Sequence, residues 1–389
     1  MKRCAVLIVV LFSFNASSAL FGFPGSDRIG GYVSELPLLT FQWDEAGLDY
    51  SNLIHARMNY NWYPMPSLAL EVAGRLQLLT GSQADVLVSG SPLIDQIGED
   101  RGYVDLTDAW PSLLHGNVDR AWISYSRGDF IIAAGRQRIN WGTNLVWNPN
   151  DWFNAFEYLD FDYEERPGTD AMRFIYYPGA LSVFEVALKA GRSLDRRTYA
   201  AMYRLNYLTY DLQFQGGLFG RDAAAGFSWA GSIRGGGFRG EVSTYIPMLE
   251  SDGSFSQPDS AVAVAAVSGD YTFENGFYIH GEALYNGFGG DGPLEPLLLL
   301  QQDYSAKDLT PARYLAYGSL AYPFTPLTRG SISAIVNPGD YSFYLSPSLA
   351  WSLSNNVEAL LIAQLFYGEE GDVYGSTPNL AGVRIRWSF

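Results

Sequence analysis

Beyond about residue 28 the chain runs in short stretches of alternating apolar and polar positions, broken by Gly, Pro, Asn and Asp. The stretch 378–389 is the clearest. Ala381, Val383, Ile385, Trp387 and Phe389 fall on one face, and Leu380, Gly382, Arg384, Arg386 and Ser388 on the other. Successive side chains of a strand point to opposite faces, so a period of two predicts a strand. The same reading predicts about eighteen strands, with sixteen as the alternative count. The first nine are 28–40, 51–62, 67–80, 117–127, 129–139, 169–177, 180–191, 198–208 and 210–219. The rest are 223–234, 237–247, 260–273, 277–286, 312–322, 327–336, 341–351, 356–367 and 378–389. Each is close to the ~9–11 residues that a tilted strand needs to cross a bilayer.

The connections alternate too. Every second one is a tight turn, such as Tyr63-Pro64-Met65-Pro66, Pro178-Gly179, Gly235-Gly236 and Glu274-Asn275-Gly276. These are the residue types that tight turns require. The connections between them include every long one, at 81–116, 140–168, 248–259, 287–311 and 368–377. Short turns at one end and long loops at the other predict an all-β, antiparallel, up-and-down transmembrane barrel. An even strand number puts both termini at the short-turn end, the periplasmic side of such a barrel. Tyr60, Trp62, Tyr125, Tyr207, Tyr271, Tyr322 and Trp387 crowd the strand ends there, as an interfacial girdle would.

Composition sharpens the picture. Aromatic residues make up 15 % of the chain and charged residues only 17 %, below the quarter or so usual for soluble domains. Lys2 and Arg3, the apolar run Cys4 to Phe14 and the small residues Ser17-Ser18-Ala19 predict a signal peptide over 1–19. The remainder, 20–389, is then one barrel domain. No apolar run is long enough for a transmembrane helix. The single cysteine lies in the leader, so the barrel has no disulfide or cysteine metal site, and no cofactor is expected. A net charge of −16 argues against nucleic acid as a partner. The competing architecture is a soluble β-sandwich or propeller with an aromatic core.

Alternation also assigns faces. Ile54/Ala56/Met58/Tyr60 and Phe184/Val186/Leu188 are apolar sets, opposed by His55/Arg57/Asn59, Glu185/Lys189, Arg239/Glu241/Ser243 and His280/Glu282/Asn286. An Arg or Lys facing lipid at mid-bilayer costs about 2–4 kcal/mol, so the polar sets must line the interior. Arginine exceeds carboxylate among the candidate lining residues. Arg57, Arg75, Arg120 and Arg173 come early in the chain, and Arg204, Arg234, Arg239, Arg313, Arg329, Arg384 and Arg386 later. Acids gather in the loops instead, at Asp95 to Asp108, at Glu157 to Glu165, and at Glu369, Glu370 and Asp372. One reading is that loop acids solubilise a rim and wall arginines pair with wall acids. The other is an arginine ladder facing an acidic loop across a constriction, a field that biases ion flow toward a weak preference for anions. The three histidines, His55, His115 and His280, have no spacing that suggests a catalytic triad or a metal site, and no enzymatic activity is expected.

Two stretches carry a resemblance. A closing strand that ends in Phe389 resembles the C-terminal strand of bacterial outer-membrane barrels, which implies the barrel-assembly machinery as a partner. Gly135-Arg136-Gln137-Arg138-Ile139-Asn140-Trp141-Gly142, followed by Asn148-Pro149-Asn150-Asp151-Trp152-Phe153-Asn154, resembles the G-R-Q-x-I-x-W-G and N-P-x-D-x-F-N signature of porin-like outer-membrane proteins. The resemblance implies a bacterial outer-membrane channel for small hydrophilic solutes, in contact with lipid and lipopolysaccharide and possible as a homo-oligomer. An outer-membrane transporter for lipid or polysaccharide is the alternative. Trp141, Trp147, Trp152, Phe153 and Phe156 are too apolar for a loop left in water. Loop 140–168 should therefore pack on the inner wall or on a neighbouring subunit. The inner wall is preferred because it offers polar partners to Arg136, Arg138, Asp151 and Asn154. Arg136, Arg138 and Asp151 would then help set the narrowest cross-section.

Overall fold

The computed structural model describes residues 26–43, 47–82, 103–105, 112–155, 168–191, 193–248, 260–290, 305–307 and 309–389. They form one closed antiparallel sheet. Its strands begin with β1 (Ser26–Phe41), β2 (Asp49–Met65), β3 (Leu68–Gly81), the short β4 (Tyr103–Asp105), β5 (Ser112–Arg127) and β6 (Phe130–Gln137). They continue with β7 (Thr169–Gly179), β8 (Ser182–Lys189), β9 (Thr198–Tyr207), β10 (Tyr210–Phe219), β11 (Asp222–Ile233), β12 (Gly236–Pro247) and β13 (Val262–Thr272). The last six are β14 (Tyr278–Asn286), β15 (Tyr314–Thr325), β16 (Thr328–Val336), β17 (Phe343–Ser354), β18 (Val357–Tyr367) and β19 (Asn379–Ser388).

All but β4 pair with their sequence neighbours, and β19 returns to β1 in register from Tyr32↔Ser388 to Phe41↔Asn379. Gly31 and Phe389 exchange two further backbone hydrogen bonds of 3.0 Å. Closure leaves the sheet without an edge that could template further strands. The barrel thus has eighteen strands, each within a few residues of its predicted place.

The departures have local causes. β5 starts at Ser112 rather than 117, so His115, read from the sequence as a loop residue, sits in a strand opposite Gln77. β6 covers β5 only as far as Arg136 opposite Ala121. Beyond that point the other edge of β5 is taken by β4, at Asn117, Gly116 and His115. Three residues are too few to show an alternation. The β3–β5 register shifts between Ala73 and Gly74, whose partners are Arg120 and Val118. The extra residue is Asp119, and this bulge buries both Asp119 and Arg120. Arg234, which alternation would put on the wall, instead sits in a hairpin turn with φ 51° beside Gly235 at 86°.

The two faces are chemically distinct. Met58, Val72, Ile132, Leu188, Val267 and Leu361 are exposed on the outside. Their strand neighbours His55, Arg57, Glu185 and Ser268 are buried inside. Exposed Tyr125, Tyr207, Tyr271 and Tyr322 stand near the tight-turn end.

Candidate functional site: an inward loop and an arginine arc

After β6 the chain turns into the barrel. Residues 138–155 cross the inner wall from β8 to β14, held by side chains that alternation places on the inner face. Glu241 on β12 is 1 % exposed. Its carboxylate accepts the N–H groups of Thr143, Asn144 (2.6 Å) and Asn150 (2.9 Å) and the Thr143 hydroxyl (3.1 Å). Glu282 on β14 accepts the N–H groups of Val146 (3.2 Å) and Trp147 (2.6 Å). Glu185 on β8 accepts the Trp141 indole N–H at 3.0 Å and a two-pronged bond from Arg173, both prongs 2.8 Å.

Neutral side chains complete the fastening. The Gln213 amide donates to the Trp141 carbonyl (2.7 Å) and that of Gln215 to the Asn150 carbonyl (3.0 Å). Ser243 accepts the Trp152 indole N–H (2.9 Å), and its hydroxyl donates to Asn150 Oδ1 (2.7 Å). A loop without regular structure leaves its N–H and C=O groups unmatched, and these wall side chains match them.

The apolar side chains of the loop fill the space that remains. Ile139, Trp141, Val146, Trp147, Trp152 and Phe153 are all buried. Trp141 packs edge-on against Phe153 (centroids 4.9 Å apart), and Trp152 lies 6.4 Å from Tyr245. Small wall residues, Ala187, Ala200 and Ala224, make room beneath them. Gly226 on β11 belongs to this set, because a Cβ there would stand 2.8 Å from Asn150 Oδ1. The expectation that loop 140–168 packs on the inner wall therefore describes residues 138–155. Phe156 and the acids Glu157 to Glu165 lie outside the described residues.

Part of loop 287–311 joins the same cluster. Ala306 and Leu309, with Ala312 just beyond the loop, are buried with the loop tryptophans. Lys307 pairs with Asp222 on β11, and its ammonium sits 5.3 Å from the ring centroids of Tyr245 and Phe288.

The eleven residues picked as lining or constriction candidates separate into groups. Arg57, Arg75 and Arg120 converge on one carboxylate. Asp119 contacts Arg57, with Arg75 at 3.5 Å and Arg120 at 3.9 Å, and all four side chains are at most 8 % exposed. Next along the wall, Arg136 pairs with Asp170 (2.7 Å), and Arg173 with Glu185. Arg239 pairs with Asp270 on the far side. Arg384 is buried, and Arg386 lies over the Tyr32 ring at 4.1 Å. Arg138 and Arg204 are exposed. Asp151 is fully buried, and its Oδ1 accepts the Asn154 N–H (3.3 Å), so it braces the loop from within.

The result is an arc of guanidinium groups on β19, β2, β3 and β5 to β7, and a loop fastened to the wall from β8 to β14. The three carboxylates that fasten it were legible as inner-face residues. Their partners were not, because each lies 44–136 residues away in sequence.

No family model matches the sequence, and no curated protein matches it. The fold, in contrast, is shared with solved structures. The crystal structure of Acinetobacter baumannii OccAB4 is similar with a TM-score of 0.57 at 7 % identity, over 93 % of this chain and 98 % of that one. Pseudomonas aeruginosa OccK9 (OpdG) is similar at 0.56 and 11 % identity, over 93 % and 98 %. The outer membrane protein opdK from Pseudomonas aeruginosa is similar at 0.55 and 7 % identity, over 95 % and 100 %. At such identities the likeness is one of architecture: a closed, eighteen-stranded, antiparallel barrel.

Proposed function

We propose that this chain is a bacterial outer-membrane channel through which small hydrophilic solutes diffuse, narrowed by loop 140–168. The observation that carries the reading is a loop bolted across the inside of a wide barrel whose outside is apolar. Eighteen strands enclose more width than side chains alone fill, so an inner loop sets the bore. The likeness to an outer membrane protein of the same architecture supports the location. In this orientation the tight turns and both termini face the periplasm and the long loops face outward. Lipid and lipopolysaccharide contact the outer face, and the assembly machinery engages the closing strand through Phe389. Exposed Arg138 and Arg204 and the partly open Arg136 and Arg173 stand where a solute would meet them, whereas Asp151 acts by holding the loop. Arginines gather on this side of the wall, with Arg57, Arg75 and Arg120 around Asp119, a lumen pattern that favours anions weakly.

Planar-bilayer recording of the purified protein, with and without residues 143–163, tests the reading. Stable ohmic openings are expected, larger and less anion-selective after the deletion. Reversal potentials in a salt gradient report the selectivity. Unchanged conductance together with loss of an oligomer would move the loop's role to assembly. Electrical silence with co-purified lipid would favour the transporter alternative.

A further inference from the structure

Beneath the Trp147 end of the inward loop, the wall formed by β14 to β18 holds a recess of about 380 Å³. This lies within the ~300–1,000 Å³ range of small-molecule sites. Its chemistry differs from that of the rest of the lumen. Antiparallel register stacks serines in two rows on the inner face. Ser319, Ser333 and Ser346 stand opposite one another across β15, β16 and β17, and Ser331 faces Ser348 one row nearer the tight turns. Neighbouring strands lie ~4.8 Å apart, and same-face residues on one strand about 7 Å apart. The hydroxyls therefore form a grid whose overall extent is about that of one or two sugar rings. Ser331 and Ser348 are close enough to bond each other, at 2.7 Å.

Aromatic faces frame this grid. Tyr317 and Tyr344 close the upper side. Tyr317 is held edge-on by Trp147 of the loop at 6.3 Å, and the Gln364 amide donates to the Tyr344 hydroxyl at 3.1 Å. Tyr278 and Arg329 close the lower side, and Arg329 is the one formal charge among the described lining residues.

A serine hydroxyl both donates and accepts and carries no charge, so such a wall matches a ligand whose groups do the same. Tyr278, half-buried where Tyr317 and Tyr344 are buried, presents a ring with an apolar face and a polar tip, which suits the C–H face of a pyranose. A small anion would find better partners among the arginines across the lumen. We infer that this recess is a docking site for a neutral, polyhydroxylated solute of mono- to disaccharide size. It would provide a second lane beside the arginine arc, just past the loop. The inference rests on the channel reading for its route of access, but the recess itself can be tested apart from conduction.

The probe is sucrose, with gluconate as a charged polyol of comparable chemistry. Saturation-transfer NMR on the full barrel in a detergent without sugar groups reads binding, and proteoliposome swelling reads passage. Wild type should give a sucrose signal, and Ser333→Ala/Ser346→Ala/Ser348→Ala should weaken binding roughly tenfold, as expected for losing several neutral hydrogen bonds. Ser346→Thr, which keeps the hydroxyl, should bind as wild type does, and gluconate should bind less well than sucrose. If the triple variant does not fold, Ser333→Ala alone should still weaken sucrose binding measurably. No sucrose signal from wild type, an equal signal from folded serine variants, or preference for gluconate would overturn the inference. Sucrose binding by a barrel that conducts no ions would support the recess and refute the channel. Ion conduction without sucrose binding would do the reverse.

Discussion

The residues that decide the interior are carboxylates rather than arginines. Glu185 pairs with a wall arginine, as a lumen acid is expected to, but it also takes the Trp141 indole. Among the described residues Glu241 pairs with no cation, and its two oxygens collect three backbone N–H groups and a hydroxyl from the loop. A buried carboxylate is costly unless its lone pairs are matched, and here the loop matches them. Removing it should therefore free the loop more than it harms the barrel. Glu241→Ala leaves several loop donors without their acceptor, a local loss of about 3 kcal/mol. Amide exchange at Thr143, Asn144 and Asn150 should speed up by roughly 100-fold while strand amides stay protected. Glu241→Gln keeps one acceptor oxygen and should show a smaller change. Unaltered exchange at those three amides would mean that the tryptophans alone hold the loop.

At the scale of elements, period-two alternation placed all eighteen barrel strands, because each repeats the pattern over about ten residues. It failed where a feature is shorter than the pattern. β4 has three residues, and the bulge at Asp119 is a single insertion that brings Arg57, Arg75 and Arg120 onto one carboxylate. The direction of loop 140–168 was legible from Trp141, Trp147 and Trp152, which need burial wherever they go. The serine rows are not legible in the sequence, because serine is neutral in an apolar–polar alternation and only register makes a surface of them. The expected acidic rim falls largely outside the described residues.

One described loop acid fastens two connections to each other. Asp340, between β16 and β17, accepts the Val373 N–H (2.8 Å) from the β18–β19 connection, together with the Ser342 N–H and hydroxyl. Burial works against its charge. The hydrogen bonds from Val373, Ser342 and Asn337 outweigh that and hold its carboxyl below the ordinary value of 3.8. A carboxyl depressed in the folded state stabilises fully above its unfolded pKa, and that contribution vanishes as pH falls through the folded one. Acidification below about 4 should thus untie the two connections, seen as faster exchange of the Val373 amide with the barrel intact. Asp340→Asn should loosen the same amide at neutral pH and remove most of the acid dependence. An Asn variant that keeps the wild-type acid profile would assign that profile to another group.

The molecule as a whole turns the usual arrangement inside out, with apolar side chains outward and the charged and hydroxylated ones inward. In water, an apolar surface that encircles the barrel would drive aggregation. In a bilayer it is what the solvent demands, and the closed sheet satisfies every strand's backbone without water. The two faces of one short strand then obey opposite rules. On β16, Ile332 is 39 % exposed on the outside at the strand's centre, and the adjacent Ser333 faces the recess. Ile332→Arg puts a charge near mid-bilayer and should cost about 2–4 kcal/mol. Ser333→Arg, one residue along, enters a polar space with room for the side chain and should cost less than about 1 kcal/mol. Denaturant titrations of both variants, refolded into phospholipid vesicles, read the difference directly. Repeating them in detergent should narrow the gap, because micelles deform around a charge more readily than a bilayer. Equal losses in vesicles would mean that the outer face meets something other than lipid, and the membrane reading would fall with the face assignment.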